Sequence, residues 1–276
     1  MIRRSVWMAP ARFLIAEGGA RSDMPFDHRW AVALGRDGTL VVADLDPPQG
    51  GESEVIDGLD LSDSPALAQA LMRGQVVKKI DFGAPLVDFT PLAFDTAVVV
   101  RQALGDVHVV RLRESGAVDV AAKLPFACRG HVHVAARAPA FGCVTDSGVK
   151  VHDLRSQLTR EVPEGAAELA LSPDGQRIAL ATGSALFVQG PEVAERVALA
   201  APPALLSFSP DGSAIAVLVA GELRIVRAEE PGTVLFRASA IEGASAMIWD
   251  EKGHDVALCK LSGAACWYRL DGDEAG

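Results

Sequence analysis

The stretch Leu171-Ser172-Pro173-Asp174-Gly175 returns 37 residues later as Phe208-Ser209-Pro210-Asp211-Gly212, and a worn third copy, Trp249-Asp250-Glu251-Lys252-Gly253, stands 41 residues beyond that. Each full copy has the chemistry of a tight turn: Pro presets φ, Asp bonds back to the local backbone, and Gly accepts the exit geometry. An apolar run follows each, residues 178–181 and 215–219, then a small residue and a second run. The second runs keep the same phase. Val149, Leu186 and Leu223 are 37 apart, as are Val151, Val188 and Ile225, so the positions expected to face inward stay in register over three repeats.

A period of about 40 residues is that of a four-stranded propeller blade. Working outward, Val107 and Val109 belong to an earlier repeat, Leu40 and Val42 to a first, and Cys266 with its neighbours to the last. This predicts an all-β chain, a single β-propeller domain over residues 1–276. Six blades are favoured, at about residues 12–83, 86–125, 131–163, 166–198, 203–238 and 244–270, or seven if 46–83 hold a degenerate one. The last unit ends before its fourth strand, while Ile2 to Met8 stands unassigned ahead of the first. The N-terminal segment is therefore expected to close the ring as that strand. Residues 46–74 are read as an insertion between the third and fourth strands of the first blade. They run from a Pro- and Gly-rich start through an acidic stretch into a short helix begun by Ser64-Pro65, with Leu67 and Leu71 on one face. That helix either covers its own propeller or docks a basic partner.

Hydrophobic residues make up 49% of the chain and charged ones 22%, in short apolar bursts, which describes a folded globular protein. The formal net charge of -10 works against a surface that tracks phosphates, so no nucleic-acid partner is expected. The basic clusters Arg3-Arg4, Lys78-Lys79 and Arg111 to Arg113 hold two charges each and read as solvated surface. No apolar run approaches the roughly 18 residues of a membrane helix, so no membrane insertion is expected. Cys128, Cys143, Cys259 and Cys266 lack metal-finger spacing and are read as buried free thiols of a cytoplasmic protein. One pair stands apart. A hairpin turning at Ser262-Gly263 would set Cys259 opposite Cys266, where an oxidising compartment could bridge them.

The segment Asp146-Ser147-Gly148-Val149-Lys150-Val151-His152-Asp153-Leu154-Arg155 resembles the third strand of a WD40 repeat, with His152 where the Trp of the Trp-Asp dipeptide stands. The Ser-Pro-Asp-Gly segments resemble the turn between the first and second strands of the same repeats, and equally that of TolB-like and peptidase-associated propellers. The resemblance covers about residues 131–260. No repeat carries the full Gly-His and Trp-Asp pair, so stability is expected to rest on sheet packing. Abundant Ala and a preference for Arg over Lys suggest a GC-rich bacterial genome.

Catalytic signatures are missing. Gly243-Ala244-Ser245-Ala246-Met247 lacks the final glycine of a nucleophile elbow, and there is no phosphate loop, dinucleotide fingerprint or HExxH. Cys128, His131 and His133 are the best metal candidates, because His-x-His on a strand directs both rings to one face. No carboxylate nearby in sequence completes that set, so no metal or cofactor is expected. Asp81, Asp88 and Asp95 could supply an acid/base pair but are read as turn caps. His28, His108, His152 and His254 share no spacing, and Trp7, Trp30, Trp249 and Trp267 are read as blade packing.

The resemblance implies that loops leading from one blade to the next, and from second to third strands, gather on one face. Phe126, Arg129 and His131 are expected there, with Arg101 on a neighbouring loop; these four form the expected protein-binding surface. The chain is thus expected not to be an enzyme but a cytoplasmic adaptor or scaffold subunit of a bacterial multiprotein complex. The alternatives are a propeller hydrolase or lyase with a channel site, and a periplasmic TolB-like binding protein.

Overall fold

The computed structural model describes residues 30–34, 38–44, 77–92, 97–112, 118–162, 165–191, 194–240, 242–250, 252–260 and 265–270. Among them the regular structure is entirely β, in consecutive antiparallel meanders. The first sheet holds β1 (Trp30–Leu34), β2 (Leu40–Asp44) and β3 (Val77–Ile80). The second holds β4 (Leu86–Leu92), β5 (Ala97–Gln102), β6 (Asp106–Leu112) and β7 (Val118–Ala127). In the third are β8 (Arg129–Val134), β9 (Ala140–Thr145), β10 (Gly148–Asp153) and β11 (Thr159–Val162). The fourth comprises β12 (Glu168–Leu171), β13 (Ile178–Ala181), β14 (Ala185–Gln189) and β15 (Ala194–Ala198). The fifth comprises β16 (Pro203–Phe208), β17 (Ala214–Val219), β18 (Glu222–Arg227) and β19 (Val234–Ser239). Last come β20 (Ala244–Trp249), β21 (Asp255–Lys260) and β22 (Ala265–Arg269).

These are sheets of the kind that form propeller blades, at the places the repeat predicts. Two compact units divide them, Met1–Val132 and His133–Gly276, with the division inside β8. In the first unit, Leu40 and Val42 pack with Leu86, Phe89, Val98, Val100, Val110 and Leu112 into one core between the first and second sheets. The second unit repeats that arrangement three times. Val149 and Val151 meet Leu169, Leu171, Ile178 and Leu180; Leu186 and Val188 meet Ile215, Val217 and Val219; Leu223 and Ile225 meet Val256 and Leu258. All six residues of the 37-residue series are at most 5% exposed, and each such side chain stabilises the fold by about 1.5–3 kcal/mol relative to exposure.

The turn chemistry is local and copied. Ser172 Oγ accepts the Arg177 N–H at 2.8 Å and donates to Asp174 Oδ1 at 2.5 Å, which accepts the Gln176 N–H at 3.0 Å. Ser209, Asp211, Ser213 and Ala214 reproduce it. In the third copy Asp250 stands in the serine's place and accepts the Asp255 N–H itself, at 2.8 Å. The same backbone closure, Ala135 N–H to Ala140 O at 2.9 Å, occurs in the third sheet without any sequence signature. Gly212 adopts φ +78°, and a Cβ there would lie 3.3 Å from Pro173 Cδ. The turn glycine therefore serves both the backbone and the close approach of the preceding sheet.

Several expectations need correction or fall outside the described residues. Register places Cys259 opposite Ala265 and Cys266 opposite Leu258. That one-residue offset sends the two thiols to opposite faces of the sheet, and both are free. Cys128 and Cys143, read as free thiols, are instead in disulfide linkage. Trp249 packs as expected, its Nε1 donating to Ser207 O at 3.3 Å, but Trp267 is 61% exposed. The Ile2 to Met8 strand and the insertion at 46–74 with its helix lie outside the described residues, although the insertion's flanks are β2 and β3, which pair directly. No helix among the described residues is long and apolar enough to cross a membrane.

Candidate functional site

Asp88 reaches its position through a bulge. The β4–β5 register shifts between Leu86 and Asp88, which lets Leu86 and Phe89, three residues apart, both enter the same core. Asp88 and Thr90 are thereby turned to the opposite face. Beyond the bulge Asp88 stands opposite Arg101 of β5. Val98 and Val100 face the core, so alternation puts Arg101 on the same face as Asp88. From β8, Thr90 Oγ1 meets Val132 O at 3.2 Å, and His131 Nδ1 lies 2.8 Å from Asp88 Oδ2.

One carboxylate thus bonds His131 and stands opposite Arg101. Asp88 is buried, with its side chain 11% exposed against 56% for His131. An ionised carboxylate only accepts, so Nδ1 is the donor, and this bond orients the ring and sets its tautomer. The Arg101 guanidinium is held below its ordinary pKa by burial, which the charge of Asp88 partly offsets. Its Nε is buried without a hydrogen-bond partner. A guanidinium so placed has lost water that the protein replaces only in part.

A second polar group braces the chain entering β4. Gln102 Nε2 donates to Phe82 O at 3.1 Å and Ala84 O at 3.3 Å, and its Oε1 lies 3.3 Å from His108 Nε2. Burial lowers the His108 pKa, more than Asp106 restores, and because an amide oxygen only accepts, Nε2 is the donor in this bond. It also packs against Phe82 at a centroid distance of 5.0 Å. The braced loop lines a cavity of about 450 Å³ with Gly38, Thr39, Lys79, Asp81 and Pro85. Asp81 caps its own turn as expected, accepting the Gly83 N–H at 2.8 Å.

The four residues expected at the protein-binding surface all belong to strands. Arg101 is near the end of β5 and half-buried, Phe126 lies in a bulged stretch of β7, and Arg129 and His131 are exposed on β8. The β5–β6 turn ties them together, since the Cys128 N–H donates to Gly105 O at 2.8 Å just before β8 begins. Gly105 permits this approach: at φ +94°, a Cβ would fall 2.8 Å from Cys128 O.

Asp88, expected as a turn cap, bonds His131 and stands opposite Arg101. The cap reading fails because Asp88 lies within a strand and its partner is 43 residues away. Its one sequence signal is a charge inside the apolar run Pro85-Leu86-Val87-Asp88-Phe89. His131 and His133 do not converge on one ligand set. His133 Nε2 lies 3.3 Å from Glu168 Oε1, so each imidazole has its own carboxylate, remote in sequence. Among the described residues no group of three or more His, Cys, Asp or Glu is placed to hold a metal. Asp95 lies outside the described residues.

No family model matches the chain, and no curated protein does. Among solved structures it is similar to one described as KlHsv2 with loop 6CD replaced by a Gly-Ser linker, at 13% identity and a TM-score of 0.49. The match covers 68% of this chain and 64% of that one, so it spans less than two thirds of the solved chain.

Proposed function

We propose that the chain is a protein-binding module, an adaptor or scaffold subunit of a bacterial multiprotein complex, that meets its partner through Arg101, Phe126, Arg129 and His131. The observation that supports this most is the hydrogen bond from His131 to buried Asp88, which stands opposite Arg101. A histidine already oriented by a buried carboxylate, beside a half-buried arginine, loses little freedom on binding, which is how anchor residues work. On this reading the protein is not an enzyme, carries no cofactor and takes no nucleic acid or membrane as partner. The test is affinity purification of the tagged full chain from its native cells with quantitative mass spectrometry. A partner protein should copurify, and its recovery should fall at least about tenfold for Arg129→Glu combined with His131→Ala. Recovery of a small molecule and no protein would replace this reading with ligand binding.

The Asp88–His131 hydrogen bond favours a second reading, a hydrolase or lyase in which the oriented imidazole is the base. Turnover of an ester or glycoside panel, abolished by His131→Gln, would support it. For the compartment, disulfide linkage at Cys128 and Cys143 favours an oxidising location over the cytoplasm. Intact mass of native protein with and without reductant distinguishes the two.

A further inference from the structure

The position held by Lys150 in β10 recurs 37 residues on as Phe187 in β14, and after another 37 as Arg224 in β18. The residue opposite it on the fourth strand of the sheet changes each time. Lys150 stands opposite Glu161 and pairs with it at 3.7 Å, Phe187 stands opposite Arg196, and Arg224 stands opposite Arg237. Like charges directly across an antiparallel pair repel, with Cβ atoms only about 4.5–5.5 Å apart. One of the two is answered, because Glu222, two residues before Arg224 on the same face of β18, bonds the Arg224 Nε. Arg237 is exposed and forms no ion pair among the described residues. The other carboxylates nearby do not supply one. Glu195 of β15 stands opposite Val188 and so faces the fifth sheet, but its Oε1 lies 3.5 Å from where a Gly232 Cβ would stand, ahead of β19. Glu229 bonds Arg177, and neither Glu230 in the same turn nor Glu242 beyond β19 pairs with Arg237.

We propose that Arg224 and Arg237 hold the phosphate group of a small ligand, one guanidinium donating from each strand. An anion between them turns their repulsion into a shared attraction. A phosphate suits the pair better than a carboxylate does. It carries about −1.5 to −2 charge at neutral pH and three acceptor oxygens, enough for both arginines, whereas the two oxygens of a carboxylate match the fork of one. Arg224 already has such a carboxylate in Glu222. Ser239 stands opposite Glu222 on the same face, where its hydroxyl adds a neutral donor. Arg224 is held by its surroundings, since it stands opposite fully buried Val217 and its side chain is 20% exposed. The net charge of -10 opposes a long polyanion far more than a single phosphate. This site lies in the second unit and stands apart from the protein-binding reading, which concerns strands β5, β7 and β8.

The test is titration calorimetry of the full chain with O-phosphoserine, inorganic phosphate and acetate in a phosphate-free buffer at about pH 7.5. Phosphoserine or phosphate should bind saturably and at least about tenfold more tightly than acetate. A preference between those two tells an ester from the free ion as the source, and either upholds the proposal. Arg224→Gln and Arg237→Gln should each weaken binding about tenfold. Arg196→Gln, opposite Phe187 and so on the other face of β15 from Glu195, should leave it unchanged. Arg237→Glu gives a second readout: it copies the opposite-charge pair of the third sheet, so it should abolish binding while raising Tm slightly, which separates loss of the site from loss of the fold. The proposal is overturned by no saturable binding of either phosphate at up to about 10 mM, by acetate binding as tightly, by binding that survives both glutamine variants, or by equal loss with Arg196→Gln. A Tm lowered by Arg237→Glu overturns it as well, because the two arginines would then not repel.

Discussion

The turn aspartates of the second unit work close to home, and Asp88 of the first unit works at a distance. Asp174 and Asp211 bond within their own turns, and Asp250 accepts N–H groups from His254 and Asp255. Asp88 instead spans 43 residues to His131 while facing Arg101 across a strand pair. A network confined to one turn can be duplicated with its repeat, because everything it needs travels along. A network spread over β4, β5 and β8 has to be assembled by the fold at one place. Repetition therefore marks what builds the sheets, and departure from it marks where a specific task can reside.

The largest effect should come from breaking the repeated part. Leu186, fully buried between the fourth and fifth sheets, should cost about 3 kcal/mol as Leu186→Ala, read by urea denaturation. Leu104 is exposed, and Leu104→Ala should change stability by less than about 0.5 kcal/mol. Similar losses at the two leucines would mean that Leu104 is covered in solution and contributes to a core.

Asp88→Asn should come next, at about 2 kcal/mol, because two basic groups lose a partly buried anion while the new amide oxygen can still accept from His131. A double-mutant cycle with Arg101→Met reads the coupling directly. If the two effects simply add, Asp88 serves His131 alone and its charge does not act on Arg101.

How much of this was legible follows from the same contrast. The turns could be read because Ser, Pro, Asp and Gly act on backbone within a few residues, and the worn copy at Asp250 was recognised although Asp replaces Ser. The inward series could be read because strand alternation is strict. Arg101 and His131 stand out by residue type, but Asp88 reads as a cap, since nothing local to it announces a histidine far along the chain. Glu168 beside His133 was missed for the same reason. The cysteines failed differently. Cys259 and Cys266 depended on a hairpin register that a single residue inverts, and the linkage at Cys128 and Cys143 depends on tertiary placement.

A smaller effect should appear with acid. In Asp174 and Asp211, burial pushes the carboxyl pKa up, but hydrogen bonds from serine hydroxyls and backbone N–H groups outweigh it and leave the pKa below the ordinary 3.8. A carboxyl depressed in the folded state contributes stability that is fully present above its unfolded value and is lost as pH falls through the folded one. The Tm difference between wild type and Asp174→Asn/Asp211→Asn should hold at about pH 6 and shrink below about pH 4. A constant difference down to low pH would assign the effect to turn geometry and not to charge.

A small stability change belongs at Arg101 too, and there the contrast between building and binding is sharpest. Its guanidinium is partly desolvated and its Nε lacks a partner, while its gain is the attraction of Asp88, which His131 also satisfies. These terms nearly cancel, so Arg101→Met, which keeps the apolar stem, should leave stability within about 1 kcal/mol of wild type or raise it slightly. Residues retained for recognition often give such a result, because a group poised for a partner is not at its most stable without one. A loss above about 2 kcal/mol would make Arg101 a structural partner of Asp88 that holds β4 to β5.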